Sequence, residues 1–156
     1  MRLYAGILVF FLCGLLQGCS WIVRFLAVNT TDKPITLELK LKYPEVPTSI
    51  FYYRAFYLHE GDGDKVNSEK QTEIRPDTME NRSHMKIVIP AHATLEFGRL
   101  FNDTYDKYNQ LFINGHVFSM EELNIIQADK ETKMIPSTFD KYFKKGKNGD
   151  VFYFVK

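Results

Sequence analysis

The sequence predicts a mainly β fold, an antiparallel β-sandwich with one short helix before the last strand. The clearest evidence is the strict alternation of apolar and polar residues over 35–42, which is typical of a strand with one buried face. Turn-forming residues separate this stretch from further short apolar runs, and half-buried strands joined by turns favour antiparallel sheets. One helical pattern follows near the C-terminus, before a final run at 151–155 that is apolar on both faces.

The first strands are predicted from the turns between them. Residues 25–29 form a short apolar run, and the turn-forming cluster 30–33 separates this run from the alternating strand. Pro34 opens the alternating strand at a position where its missing N–H is tolerated. A third strand is predicted over 50–58, where both faces are apolar or aromatic.

The middle of the chain has a less regular pattern. Residues 66–83 are polar and predict a long irregular connection, which strands at 85–89 and 94–97 follow. Asn114-Gly115 lies between two short apolar runs, and this is a signal for a two-residue hairpin. Residues 119–128 suit a helix as well as a strand, and both assignments stay open at this point.

The C-terminal helix is predicted from its cap and its aromatic face. Ser137 can cap the helix with Asp140 at its third position, while Phe139, Tyr142 and Phe143 share one face. Two of the predicted strands are apolar on both faces, so a second layer must cover one of these faces. We therefore expect the helix to cover an outer face of the sheet.

The turns also carry a resemblance to a known architecture. An Asn-x-Thr-Asp-x-Pro turn spans residues 29–34, and an Ile-Pro-x-x-x-Thr-Leu corner spans residues 89–95. In these features the stretch 25–101 resembles immunoglobulin-like sandwiches. The resemblance implies two layered sheets and no functional site, since the sequence lacks the Cys–Trp–Cys core of true immunoglobulin domains.

The N-terminus has the parts of an export signal. Arg2 precedes an apolar run from Leu3 to Leu16, and the small residue Gly18 stands before a cysteine. The segment Leu16-Gln17-Gly18-Cys19 resembles the lipobox of bacterial membrane lipoproteins. The resemblance implies cleavage before Cys19, a diacylglyceryl thioether on its sulfur and an amine acylated by a fatty acid such as palmitate.

This interpretation divides the chain into three parts and gives it a location. We expect a signal peptide at 1–18, a short membrane-proximal segment at 19–24 and a single sandwich-like domain at 25–156. An uncleaved membrane anchor and ordinary secretion remain as alternatives for the leader. In bacteria that sort lipoproteins by the residue after the cysteine, Ser20 favours the outer membrane. The expected location is therefore the bacterial cell envelope, lipid-anchored on the periplasmic side.

Charge and cysteine content narrow the range of partners. Without Arg2, the 20 lysines and arginines fall to 19 and match the 19 acidic residues of the chain. A net charge near zero gives no electrostatic reason to expect nucleic acid as a partner. One of the two cysteines, Cys13, leaves with the signal peptide, so a lipidated Cys19 has no partner for a disulfide.

The residues that could carry chemistry are scattered in the sequence. The four histidines, His59, His84, His92 and His116, show no zinc-ligand spacing, and no nucleophile or phosphate-loop motif is present. The acidic residues at 62 and 64 do not complete a calcium-binding loop. We therefore predict no catalytic residue, no metal site and no cofactor, and we favour a protein that is not an enzyme.

A candidate binding patch lies on the aromatic strand. Tyr52, Arg54 and Phe56 fall on one face of the predicted strand 50–58, and an arginine between two rings can stack on them. If this face is open, it is an aromatic patch of the kind that binds other molecules. The alternative is that these rings belong to the core.

The leading functional interpretation is a non-enzymatic binding or structural accessory module that is lipid-anchored in the envelope and binds an envelope protein. One alternative is a small hydrolase or metal-dependent enzyme on the same fold, which requires histidines and a carboxylate to converge. Another is a carbohydrate-binding module, favoured if Tyr52 and Tyr57 line one exposed platform. Trp21, beside the predicted anchor, suits either the membrane interface or the core.

Overall fold

The computed structural model describes residues 20–44, 46–51, 56–61, 63, 70–80, 82–128 and 130–156, and the side chains of 78–80 lie outside this description. The chain forms strands β1 to β11 and one helix, α1, which in sequence order are β1 (Ile22–Asn29), β2 (Ile35–Leu41), β3 (Phe56–Glu60), β4 (Gln71–Ile74), β5 (Thr78–Glu80), β6 (His84–Ile89), β7 (Ala93–Phe101), β8 (Met120–Gln127), β9 (Lys130–Met134), α1 (Pro136–Tyr142), β10 (Lys144–Lys145) and β11 (Val151–Val155). The prediction of a mainly β fold with one short helix before the last strands is confirmed.

The strands form two sheets. The six-stranded sheet has the order β10-β11-β1-β7-β3-β4, and the five-stranded sheet has the order β5-β6-β2-β8-β9. Among the described strands, β1 and β11 pair in parallel, while the other strand pairs are antiparallel. The prediction of a purely antiparallel arrangement is therefore corrected at this pair. Parallel pairing is possible here because most of the chain lies between the two strands.

Both sheets contribute side chains to one hydrophobic core. In β2 the alternating pattern buries Ile35, Leu37, Leu39 and Leu41, as predicted. Phe25, Leu95 and Phe97 join them from the six-stranded sheet. Alternate residues of that sheet face away from the core, where a smaller buried cluster contains Leu26, Val28 and Phe152.

Helix α1 closes the open side between the sheets. It connects β9, an edge strand of one sheet, with β10, an edge strand of the other. Its Phe139 stacks on Phe143 at 4.1 Å and lies 5.2 Å from the Phe118 ring, and all three rings pack in or against the shared core. The prediction that the helix covers an outer face is wrong, because the β9–β10 connection must pass across the gap between the sheets.

The helix also begins differently from its prediction. Pro136 occupies the first turn, where its missing N–H costs nothing. Ile135 is the N-cap, and its N–H donates to Thr138 Oγ1 at 3.1 Å. Ser137 and Asp140 therefore lie inside the helix rather than at its start.

The segment around Asn114-Gly115 contains a turn without the predicted hairpin. Gly115 adopts a positive φ of 68°, which glycine tolerates, yet neither flanking run forms a strand. Residues 119–128, which fitted either assignment, contain β8. The predicted irregular stretch 66–83 holds two short strands, β4 and β5.

Two predicted boundaries also change. Strand β1 begins at Ile22, so residues 22–24 belong to the sheet rather than to a segment that precedes it. The described part of the predicted strand 50–58 contains a bridge at Phe51 and then β3, while residues 52–55 lie outside the described ranges. Within those ranges, no helix reaches the length and hydrophobicity that a bilayer crossing requires.

Candidate functional site

Three of the four predicted site residues, Cys19, Tyr52 and Arg54, lie outside the described residues. The fourth, Phe56, is 0% exposed and belongs to the core. It shares a strand face with Leu58, which packs against the same core. This corrects the predicted place of Phe56 in an exposed patch.

The histidines of the described chain do not gather around one point. His92 Nε2 lies 2.9 Å from Asp32 Oδ1 at the surface, and His116 Nε2 lies 3.0 Å from the Phe101 carbonyl oxygen. His59 is buried beside Glu96. In the part of the chain that the structure describes, no three histidine, cysteine or acidic side chains are grouped in a way that could hold a metal ion.

A buried charged cluster occupies the outward face of the six-stranded sheet. This Glu96 cluster consists of Glu96, His59, Arg24, Arg99 and Tyr57, contributed by β1, β3 and β7. A shift of the β1–β7 register at Phe25/Leu26 brings it together. The irregularity lets Glu96 and Arg99, three residues apart, point to the same face, whereas a regular strand would separate them.

Within the Glu96 cluster, the carboxylate is the common acceptor. His59 Nε2 lies 3.0 Å from Glu96 Oε2, and Arg24 Nε lies 3.6 Å from the same oxygen. Arg99 Nε donates to Glu96 Oε1. The Arg99 guanidinium also lies over the Tyr57 ring, 4.2 Å from its centroid. That ring face is therefore occupied, which leaves Tyr57 unsuited to an exposed aromatic platform.

These contacts set the charge of Glu96. Burial acts to raise the pKa of the carboxyl, but hydrogen bonds from His59 and Arg99 outweigh burial and hold the pKa below its usual value. A carboxylate that is stabilised in this way is a weak general base, because its affinity for a proton is low. Among the described residues, His59 Nδ1 has no hydrogen-bond partner. The geometry of the Glu96 cluster thus favours charge pairing between strands over acid–base catalysis.

A second surface lies at the end of the domain where the chain enters β1. It consists of Trp21, Leu111 and Ile113, and we call it the Trp21 surface. Leu111 is 98% exposed, Ile113 is 85% exposed and Trp21 is 51% exposed. Trp21 is therefore a surface residue, so of the two predicted settings the core is excluded.

Hydrogen bonds hold the Trp21 surface in one arrangement. Trp21 Nε1 donates to the Asp103 carbonyl oxygen at 3.0 Å. The Trp21 backbone N–H donates to Asn102 Oδ1, and the Asn102 backbone N–H donates to the Trp21 carbonyl oxygen. Asn114 N–H donates to Asp103 Oδ2 at 3.4 Å, and Asn114 Nδ2 donates to the Asn102 carbonyl oxygen at 2.7 Å. Trp21 and the loop that carries Ile113 are thus fastened to the same two residues.

A groove marks the opposite end of the domain. Its volume is about 360 Å³. Its walls come from the turn after β1 and from the β8–β9 connection, and its lining residues are Thr31, Asp32, Lys33, Pro34, Ile35, Gln127, Ala128 and Lys130. Strand β1 lies between the groove and Trp21, and its eight residues span about 23 Å at ~3.3 Å per residue.

The sequence carried partial signals for these surfaces. Thr94 and Glu96 alternate with the apolar Leu95 and Phe97, which marks a polar strand face, but the partners of Glu96 are distant in sequence. The apolar residues around 112 predict a hairpin strand, because a β pattern gives no sign that side-chain hydrogen bonds replace strand pairing.

Comparisons of the chain with protein-family models, curated proteins and solved structures found no match.

Proposed function

We propose that this chain is a bacterial lipoprotein, anchored through Cys19 in the cell envelope, whose domain acts as a non-enzymatic binding or structural module. Outer-membrane attachment on the periplasmic side is part of the proposal, since Ser20 follows the cysteine. The anchor would consist of several acyl chains, and more than one chain is needed for stable attachment.

One observation carries the proposal. The first described strand, β1, begins at Ile22, three residues after Cys19 in the sequence, and lies inside the six-stranded sheet between β11 and β7. A domain with this entry point has no long tether, so a lipid on Cys19 would hold it against the membrane. The exposed Trp21 fits such a position, because its amphipathic ring suits the boundary between lipid and water.

The groove at the end of the domain opposite the chain entry gives separate support for the binding role. The groove lined by Lys33 and Lys130 lies away from the chain entry and would face the periplasm. The Glu96 cluster gives less support to an enzyme, because the Glu96 carboxylate is already paired with Arg24, Arg99 and His59. Tyr52 and Arg54 remain a second proposed contact for the partner.

The proposed architecture is an immunoglobulin-like sandwich. Support comes from two sheets that share one core and from a chain that passes between the sheets repeatedly, as from β1 to β2 and from β6 to β7. Such sandwiches align their sheets within about 30°. An experimental structure with sheets crossing near a right angle would contradict this part of the proposal.

Substitution of the anchor cysteine tests the proposed attachment. Cys19→Ala removes the sulfur that receives the lipid, so we expect an unprocessed precursor that takes up no radiolabelled palmitate. Cys13→Ala is the matched control and should be processed and labelled like the parent. If Cys19→Ala matches the parent in mass and in labelling, the chain is not a lipoprotein.

A further inference from the structure

Two aliphatic side chains project into solvent at the Trp21 surface. Leu111 and Ile113 are almost fully exposed, whereas Phe112 between them packs against the core. Phe112 therefore fixes the direction in which its two neighbours point. Apolar side chains held together in water usually mark a contact with another apolar phase.

The loop that carries these side chains is ordered by its own polar residues. Gln110 Nε2 donates to the Thr104 carbonyl oxygen at 2.6 Å, and Gln110 Oε1 accepts the Asp106 N–H at 2.6 Å. Asn114 bonds both Asn102 and Asp103 on the other side of the loop. Leu111 and Ile113 are thus exposed on a loop that side-chain hydrogen bonds hold in place.

Covalent geometry ties the Trp21 surface to the proposed anchor. Trp21 is two residues from Cys19, and an extended chain spans at most ~3.6 Å per residue, so their Cα atoms are within about 7 Å of each other. Trp21 Nε1 and Asn114 N–H both donate to Asp103. A membrane that holds Cys19 is therefore brought close to the loop containing Leu111 and Ile113.

We propose that Leu111 and Ile113 insert into the interfacial region of the bilayer that holds Cys19 and give the domain a second membrane contact. The inference rests on the proposed lipid anchor. The interfacial region of a bilayer suits the side chains of the Trp21 surface, since aliphatic residues enter the acyl boundary while tryptophan remains at the level of the headgroups. A lipid alone lets a domain rotate, whereas two adjacent contacts fix its orientation and turn the groove toward the periplasm.

Site-directed spin labelling of the full lipidated protein tests this contact. After processing and lipidation, neither natural cysteine offers a free thiol, so Ile113→Cys introduces one labelling site. Asp32→Cys is the matched control, because its side chain is 96% exposed at the groove end. Each nitroxide-labelled protein is reconstituted into vesicles of phosphatidylethanolamine and phosphatidylglycerol, without other proteins.

The measurement is the collision rate of the label with oxygen, which concentrates in lipid, and with a water-soluble nickel complex. We expect the label at 113 to be accessible to oxygen and shielded from nickel, and the label at 32 to show the reverse. Equal nickel accessibility at both positions would overturn the inference and leave a protein partner as the occupant. The intact mass separates the two proposals: a chain without lipid overturns both, and a lipidated chain with an aqueous label at 113 overturns this one alone.

Discussion

Glu96 and Asp150 are two buried carboxylates that contact the same side chain, Arg24. Their pKa values shift in opposite directions. Hydrogen bonds from His59 and Arg99 overcome the effect of burial and lower the pKa of Glu96. Burial dominates at Asp150 and raises the pKa of its carboxyl, although Arg24 N–H donates to Asp150 Oδ1 at 2.8 Å. Arg24 thus contacts two different carboxyls: the fold favours the ionised form of Glu96, whereas burial favours the protonated form of Asp150.

This contrast predicts unequal effects of two neutral substitutions. Glu96→Gln leaves Arg99 and His59 without their anionic partner in a buried site, and breaking such a pair costs about 3–5 kcal/mol. Asp150→Asn keeps an acceptor for the Arg24 N–H and removes a charge that burial disfavours, so it should lower the unfolding free energy clearly less than Glu96→Gln does. Urea unfolding at pH 7 gives both free energies. Equal losses in the two variants would show that Glu96 is not the centre of the charged cluster.

The pH dependence of the Glu96 variant follows from the direction of its shift. A carboxyl with a lowered pKa in the folded state stabilises the fold fully above its unfolded value of 4.5, and this contribution disappears as the pH falls through the folded pKa. The difference in unfolding free energy between parent and Glu96→Gln should therefore be constant near neutrality and shrink below about pH 4.5. A difference that stays constant down to pH 2 would contradict the ionised state of Glu96.

At the scale of single elements, β7 shows how one irregularity serves both faces of a sheet. Gly98 follows the register shift, and a Cβ atom there would lie 2.8 Å from Phe51 Cδ1 and 2.9 Å from the Ile50 carbonyl oxygen. The absence of a side chain lets Ile50 approach closely enough to accept the Arg99 N–H at 2.8 Å. The bulged strand can thus bury Phe97 in the core and still direct Arg99 toward Glu96.

Helix α1 offers a matched pair of aromatic residues. Phe139 is fully buried and lies within 6.2 Å of four aromatic rings from other segments, whereas Tyr142 is 39% exposed at the helix end. Phe139→Ala should lower the unfolding free energy by about 3–5 kcal/mol, because the cavity lies between both sheets. Tyr142→Ala loses mainly its contact with Tyr153 and should cost clearly less. Similar melting temperatures for the two variants would place α1 outside the core.

At the scale of the whole molecule, the two ends of β1 have different surfaces. The end near Ile22 carries the exposed apolar side chains of the Trp21 surface, and the end near Asn29 leads into the lysine-lined groove. Asn29 is the structural link at that end, since its Nδ2 donates to the carbonyl oxygens of Lys33 and Pro90, each at 2.8 Å. The proposed membrane contact at one end and the proposed partner contact at the other can therefore be tested by separate substitutions.

A pull-down from detergent-solubilised envelope tests the partner end. Lys33→Glu/Lys130→Glu reverses two exposed charges at the groove. The unfolding free energy of the variant should stay within about 0.5 kcal/mol of that of the parent, and the variant should lose the proposed envelope partner. Tyr52→Ala/Arg54→Ala tests the second proposed contact and should also weaken retention of the partner. If the second variant loses the partner and the first retains it, the aromatic strand is the binding site.

The local patterns of the sequence were sufficient wherever neighbouring residues decide the structure. Alternation over 35–41 identified β2 and its buried face, the turn cluster 30–33 ended β1, and the run at 151–155 was a strand. These features follow from backbone periodicity and turn chemistry, which act within a few residues.

Tertiary structure alone decided how these elements meet. The parallel pairing of β1 with β11 joins the first and the last described strands, and the Glu96 cluster joins side chains from β1, β3 and β7. Ile113 is exposed because Asn114 bonds Asn102 and Asp103 instead of a neighbouring strand. Contacts between such distant residues depend on strand order and register, and each strand's own pattern is compatible with many partners; only packing both sheets around one core selects among them.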